Sequence, residues 1–221
     1  MIAKDLINYM VPPLKPTDKV GKAKLWMNEL RLSELPVVDD NQFLGFLDEE
    51  MLLNDELQYE MVGEYPFVGK DCVVTEDQHY YEVLKISNIE GYRLVAVVDT
   101  LNHFLGVITT EDVVEVFAKS SSVSTPGAIL ILKLKIQDYS LSEISRIVES
   151  NEAKILSSYL APNDEDPAKV SLTLKINKEE VSQIVSTLEN SGYTVINAYN
   201  TAAATLDDKE RIDILMRYIK I

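Results

Sequence analysis

The stretch LPVVDDNQFLGFLDEEML (35–52) decides the reading of this chain, because nearly the same phrase returns as VAVVDTLNHFLGVITTEDV (95–113). Each copy runs from an apolar strand through a polar turn to a second apolar strand that ends at a helix start. The two FLG triplets begin at residues 43 and 104. Upstream of each copy lies a helical pattern. TDKVGKAKLWMNEL (17–30) places Val20, Ala23, Met27 and Leu30 on one face. TEDQHYYEVLKISN (75–88) opens on Thr75 with Gln78 three positions later, the spacing of a capping box. A period near sixty with two copies describes a duplicated domain and not a solenoid.

Downstream the pattern changes at KSSSVSTPG (119–127), a polar, small-residue joint closed by Pro-Gly. Beyond it, AILILKLKI (128–136) reads as a strand and SLSEISRIVES (140–150) as a helix, with Ser140 and Glu143 as its capping box. AKILSSYLA (153–161) and AKVSLTLKI (168–176) read as strands around the charged turn NDEDP (163–167). NKEEVSQIVSTLENSG (177–192) reads as a helix ending at Gly192, and YTVINAY (193–199) as a strand. The order β-α-β-β-α-β is that of a ferredoxin-like unit. A last helical pattern, LDDKERIDILMRYIKI (206–221), carries Leu206, Ile212, Leu215, Met216 and Ile219, whose stripe must lie against its own sheet or a partner chain. The expected organisation is therefore α+β: a duplicated unit over 1–118 with repeats at about 1–60 and 61–118, a linker at 119–127, and a ferredoxin-like unit over 128–221.

Composition narrows the function classes. The 221-residue chain has a formal net charge of −15, and the Lys+Arg and Asp+Glu counts give −12 over 1–120 and −3 over 121–221. Such a surface repels phosphate backbones and anionic lipid, so neither nucleic acid nor membrane is an expected partner. Cys72 is the single cysteine, which leaves no internal disulfide and fits a reducing, cytoplasmic setting. MIAKDLINYM (1–10) lacks the apolar core of a secretion signal, and apolar runs such as AILIL (128–132) are far too short to span a bilayer. His79 and His103 stand alone in their repeats, and no P-loop, GxGxxG or nucleophile elbow occurs. No catalytic constellation emerges, so an enzyme is not expected.

The duplicated half resembles a tandem pair of CBS domains, a Bateman module, on the phrases LPVVDDNQFLGFL and LVAVVDTLNHFLGVITTEDV. The second half resembles an ACT-type regulatory domain in its element order. A CBS pair followed by an ACT-like unit is similar to the bacterial acetoin-utilisation group, and the resemblance implies a regulatory role without catalytic residues. In CBS families a Gly-h-h-Thr/Ser-x-x-Asp phrase lines an adenosine-nucleotide cleft, which Gly106, Thr109 and Asp112 match. A helix start offers free N–H groups to an anion, and a carboxylate suits two ribose hydroxyls. Thr109 with Asp112 is equally a capping arrangement, found in many helices that bind nothing.

The first copy departs from the phrase, with Asp48 in place of the Thr and Met51 in place of the Asp. Asp48 can cap a helix but repels phosphate, as do Glu49 and Glu50, so no nucleotide is expected there. Asp48, Glu49 and Glu50 could instead offer oxygens to a divalent cation, although neighbouring carboxylates at a helix start more often compensate the helix dipole. The ACT-like half has QDYSLSE where amino-acid-binding members carry Asp-x-Pro-Gly, so dimerisation is its expected role. The expectation is a cytoplasmic homodimeric regulator sensing AMP or another adenosine derivative in its second repeat, with no required cofactor and with a regulated protein partner. The alternative is an interaction module without a small ligand.

Overall fold

The computed structural model describes residues 1–54, 57–120, 122–163 and 166–200. The architecture is α+β, and the chain divides into two compact units, Met1–Val116 and Phe117–Ile221. The division falls inside helix α4 (Thr110–Ser120), N-terminal to the serine-rich joint.

In the first unit, each repeat supplies a helix followed by an antiparallel pair. The first repeat has α1 (Val20–Leu30), β1 (Glu34–Asp39), β2 (Gln42–Asp48) and the five-residue α2 (Glu49–Leu53). The second has β3 (Val73–Thr75), α3 (Tyr80–Glu90), β4 (Leu94–Val98), β5 (Phe104–Thr109) and then α4. Both pairs carry a register shift at the same place, between Val37 and Val38 and between Val97 and Val98. A shared bulge is what a duplicated strand–turn–strand phrase should keep.

The repeats exchange their leading segments. The segment before α1 sends Leu14 parallel to Val37 of its own repeat, but its Asn8 pairs antiparallel with Val107 of the other. The segment before α3 forms β3 parallel to its own β4, but its Val68 pairs antiparallel with Phe46 of the first repeat. The N–H and C=O groups of Phe46 and Val68 bond both ways, at 2.7 and 3.0 Å. Where the repeats meet, the equivalent rings of Phe43 and Phe104 stack 6.1 Å apart at 15°. One continuous core joins them, including Leu35, Phe46, Leu47, Leu94 and Ile108, each fully buried. Apolar residues on both faces of β4 explain its uninterrupted Leu-Val-Ala-Val-Val sequence.

The start of α3 differs from the capping box expected at Thr75. Thr75 closes β3; the Gln78 side chain does accept from its N–H at 2.7 Å, but within a turn. The helix begins at Tyr80, where the His79 ring accepts from the Tyr81 N–H at 3.3 Å.

The second unit is a four-stranded antiparallel sheet with strand order β7-β8-β6-β9, from β6 (Ala128–Lys135), β7 (Ile155–Pro162), β8 (Lys169–Ile176) and β9 (Thr194–Tyr199). Two helices complete the β-α-β-β-α-β order, α5 (Leu141–Ser150) and α6 (Ser182–Asn190). Ser140 caps α5 by accepting from the Glu143 N–H at 3.3 Å. Helix α6 starts five residues later than its sequence pattern suggests. Residues 177–181 instead tie down strand ends: Asn177 Oδ1 accepts from the Lys154 N–H at 2.7 Å. The helical pattern over 206–221 lies outside the described residues.

Candidate functional site

The candidate residues converge at the junction of β5 and α4. Antiparallel pairing with β4 carries β5 to Thr109, and α4 starts at the next residue. Thr109 is 7% exposed, and both capacities of its hydroxyl are used. Its Oγ1 donates to Asp112 Oδ2 at 2.7 Å and accepts from the Asp112 N–H at 3.0 Å. Asp112 Oδ2 also accepts from the Thr109 N–H at 3.1 Å. This is a closed capping box, satisfying two backbone donors that a helix start leaves without internal partners.

A third element enters from the other end of the chain. The side-chain amide of Asn8 donates to Asp112 Oδ2 at 3.1 Å. Asn8 is itself held twice, its N–H on the Val107 carbonyl at 2.8 Å and its Oδ1 accepting from the Met10 N–H at 3.0 Å. Gly106 allows this approach, because a Cβ there would collide with Ile7 Cγ2. Gly106, Thr109 and Asp112 are thus gathered under the segment that the first repeat lends to the second. The sequence reading did not single out Ile7 and Asn8. The signal was present in the offset: Asn8 and Val68 lie sixty positions apart and both make the exchanged bridge.

The equivalent place in the first repeat is built differently. Asp48 caps α2, its Oδ1 accepting from the Glu50 N–H at 2.7 Å. Met51 packs against the core, where an acceptor would stand in the expected phrase. A Cβ on Gly45 would meet the Val68 carbonyl oxygen at 2.7 Å, so the lent segment lies against backbone here too. Among the described residues no group of three or more His, Cys, Asp or Glu side chains could hold a metal ion, and Asp48, Glu49 and Glu50 form no such group.

The remaining chemically reactive side chains are engaged structurally. Cys72 is fully buried, its thiol is 3.3 Å from the Leu94 carbonyl oxygen, and burial pushes it up to about 12, with Glu90 and Glu34 adding to the shift. His103 pairs with Asp99 at 2.9 Å, and His79 caps α3. Among the described residues no helix is long and apolar enough to cross a membrane.

A family model for the CBS domain matches residues 62–119, the span from the second repeat's leading segment to the end of α4. Among solved structures, the chain is similar to a CBS domain pair/ACT domain protein from Thermotoga maritima, with 21% identity over 54% of this chain and 98% of that one and a TM-score of 0.49. It is also similar to CBSX2, solved in complex with AMP, with 21% identity over 53% of this chain and 96% of that one and a TM-score of 0.45. The CBS domain of a bacterial CNNM/CorC family Mg2+ transporter, solved in complex with ATP, has 20% identity over 52% of this chain and 85% of that one, with a TM-score of 0.41.

Proposed function

We propose that this chain is a cytoplasmic regulatory protein, not an enzyme, whose second repeat senses an adenosine-containing ligand at Gly106, Thr109 and Asp112. The ferredoxin-like unit serves as an ACT-like module for dimerisation or relay to a regulated protein. One observation carries the reading: a hydroxyl and a carboxylate stand together at the start of the eleven-residue α4, whereas the same two positions in the first repeat hold a carboxylate and a thioether. The three bonds described on Asp112 fall on Oδ2, and Oδ1 is the oxygen a ribose hydroxyl would meet. The surrounding acidity favours few phosphates, so AMP or an adenosine thioether suits the site better than ATP.

The test is thermal unfolding with AMP, ATP and an adenosine thioether. A ligand at a hundred times its Kd should stabilise the protein by about 2.7 kcal/mol. No shift with any of them, or an equal shift in the Thr109→Ala/Asp112→Ala double variant, overturns this reading.

A second reading has its own support. Thr109, Asp112 and Asn8 already satisfy one another, as they would in an interaction module that binds no small molecule. That reading expects a stable dimer by light scattering together with no adenine-dependent shift.

A further inference from the structure

At the start of α4 the groups that would hold a phosphate are already taken. A helix start leaves its first N–H groups without internal partners, here those of Thr109, Thr110, Glu111 and Asp112. The Thr109 N–H is on Asp112 Oδ2 at 3.1 Å, the Thr110 N–H on the Arg93 carbonyl at 2.9 Å, and the Asp112 N–H on Thr109 Oγ1 at 3.0 Å. Among the described residues, the Glu111 N–H is the one of these left for a ligand. Both hydroxyls are turned onto carboxylates as well: Thr109 Oγ1 donates to Asp112 Oδ2 at 2.7 Å and Thr110 Oγ1 to Glu111 Oε2 at 3.3 Å. The first repeat closes its helix start in the same manner, with the Glu49 N–H on the Ser33 carbonyl at 2.7 Å and the Glu50 N–H on Asp48. The loss of donors therefore belongs to the strand–helix junction and not to one side-chain rotamer.

Charge points the same way. The first turn of α4 carries Glu111 and Asp112, and the basic Lys119 stands in its last turn. Arg93 lies across from Thr110, but its side chain is exposed and its single charge is set against two carboxylates. Given the reading of Thr109 and Asp112 as an adenosine site, we infer that the ligand taken there carries no phosphate: it is an adenosine derivative that is neutral or cationic at its 5′ position. The bonds described on Asp112 fall on Oδ2, which leaves Oδ1 for a ribose hydroxyl. A carboxylate only accepts, so it suits a hydroxyl and not a phosphate oxygen. A phosphate at this helix start would have to open the Thr109–Asp112 capping box and would sit beside the Glu111 and Asp112 charges, whereas a 5′ cation meets them with the favourable sign.

Calorimetric titration of the full-length protein with adenosine, 5′-amino-5′-deoxyadenosine, AMP and ATP tests this. Adenosine and its 5′-amine should bind roughly tenfold or more tightly than AMP, with ATP the weakest, and the gap should narrow as salt is raised. Glu111→Lys, at an exposed side chain, should raise AMP affinity severalfold and leave adenosine unchanged. Arg93→Ala should leave the ratio of AMP to adenosine affinity as it is. AMP binding as tightly as adenosine, AMP affinity unmoved by Glu111→Lys, or a selective loss of AMP in Arg93→Ala would each overturn the phosphate-free ligand while leaving the adenosine site standing. Binding of none of these compounds, or equal binding in Thr109→Ala/Asp112→Ala, would remove the adenosine site and this ligand class with it.

Discussion

Asn8 donates its side-chain amide to Asp112 Oδ2 at 3.1 Å across 104 positions of sequence. This bond joins the first residues of the chain to the start of α4, so the candidate site is assembled from both repeats. Removing the donor should cost stability without unfolding the unit. Asn8→Ala is expected to cost about 1.5 kcal/mol, the lower end for a hydrogen bond to a charged group at a half-exposed site. Asn8→Asp should cost more at neutral pH, because it removes the amide donor and sets a second carboxylate against Asp112. Trp26 is the single tryptophan and packs against the core of the first unit, so its fluorescence in urea reports that unit alone.

The two equivalent glycines should not tolerate a side chain equally. At Gly45 an added Cβ meets the Val68 carbonyl oxygen at 2.7 Å and Phe67 Cβ at 2.9 Å, and the residue has φ +128°. At Gly106 the obstacle is Ile7 Cγ2, a side-chain methyl. Backbone cannot step aside as a methyl can, so Gly45→Ala should lose about 3 kcal/mol and Gly106→Ala about half of that, within the range for overpacking. Adding Ile7→Ala should return part of the Gly106→Ala loss and none of the Gly45→Ala loss. Additive losses in the Gly106→Ala/Ile7→Ala cycle would contradict this packing.

These contacts mark the limit of what the sequence discloses. The repeated phrase showed the strands, the turn and the helix start, because alternation and capping are local and appear wherever the chain passes twice through one structure. Thr109 and Asp112 were legible for the same reason, being three positions apart. Asn8 was not, since its role depends on a pairing with Val107 that no local pattern announces. The start of α3 was misread because the Thr75–Gln78 bond satisfies a turn as well as it would a helix. The sequence reading did not single out Glu34, because nothing local in LSELP (32–36) announces burial, yet it is 5% exposed.

Acid should weaken the fold partly through Asp18. Burial raises this carboxyl, but the Lys15 N–H and the Lys22 ammonium, each 2.8 Å from Oδ2, outweigh it and hold the group below the usual carboxylate range. A carboxyl depressed in the folded state binds fewer protons than in the unfolded chain. Its contribution is therefore complete above the unfolded value near 4 and is lost as the pH falls through the folded one. The stability of wild type and Asp18→Asn, followed by Trp26 fluorescence in urea, should differ at pH 7 and draw together as the pH falls through and below the usual carboxylate range. A constant difference across that range would show that Asp18 acts through packing alone.

Glu34 supplies the sharpest contrast between charge and hydrogen bonding. From the start of β1 its Oε1 accepts from the N–H groups of Arg93 and Leu94, at 2.6 and 2.9 Å, where β4 of the other repeat begins. Its Oε2 accepts from Ser33 Oγ at 3.0 Å. Glu34→Ala leaves those donors without the carboxylate in a closed interior, which should cost about 3 kcal/mol. Glu34→Gln keeps an oxygen for the two backbone donors, and the Ser33 hydroxyl can turn to accept from the new amide. It should cost about 1 kcal/mol, the difference between a charged and a neutral acceptor. Equal losses would mean that charge, and not the bonds to Arg93 and Leu94, is what joins the two strand ends. Because the bond links the repeats, Glu34→Ala should also raise amide exchange at Leu94 well before it raises exchange at Leu172 or Leu174, which belong to the second unit.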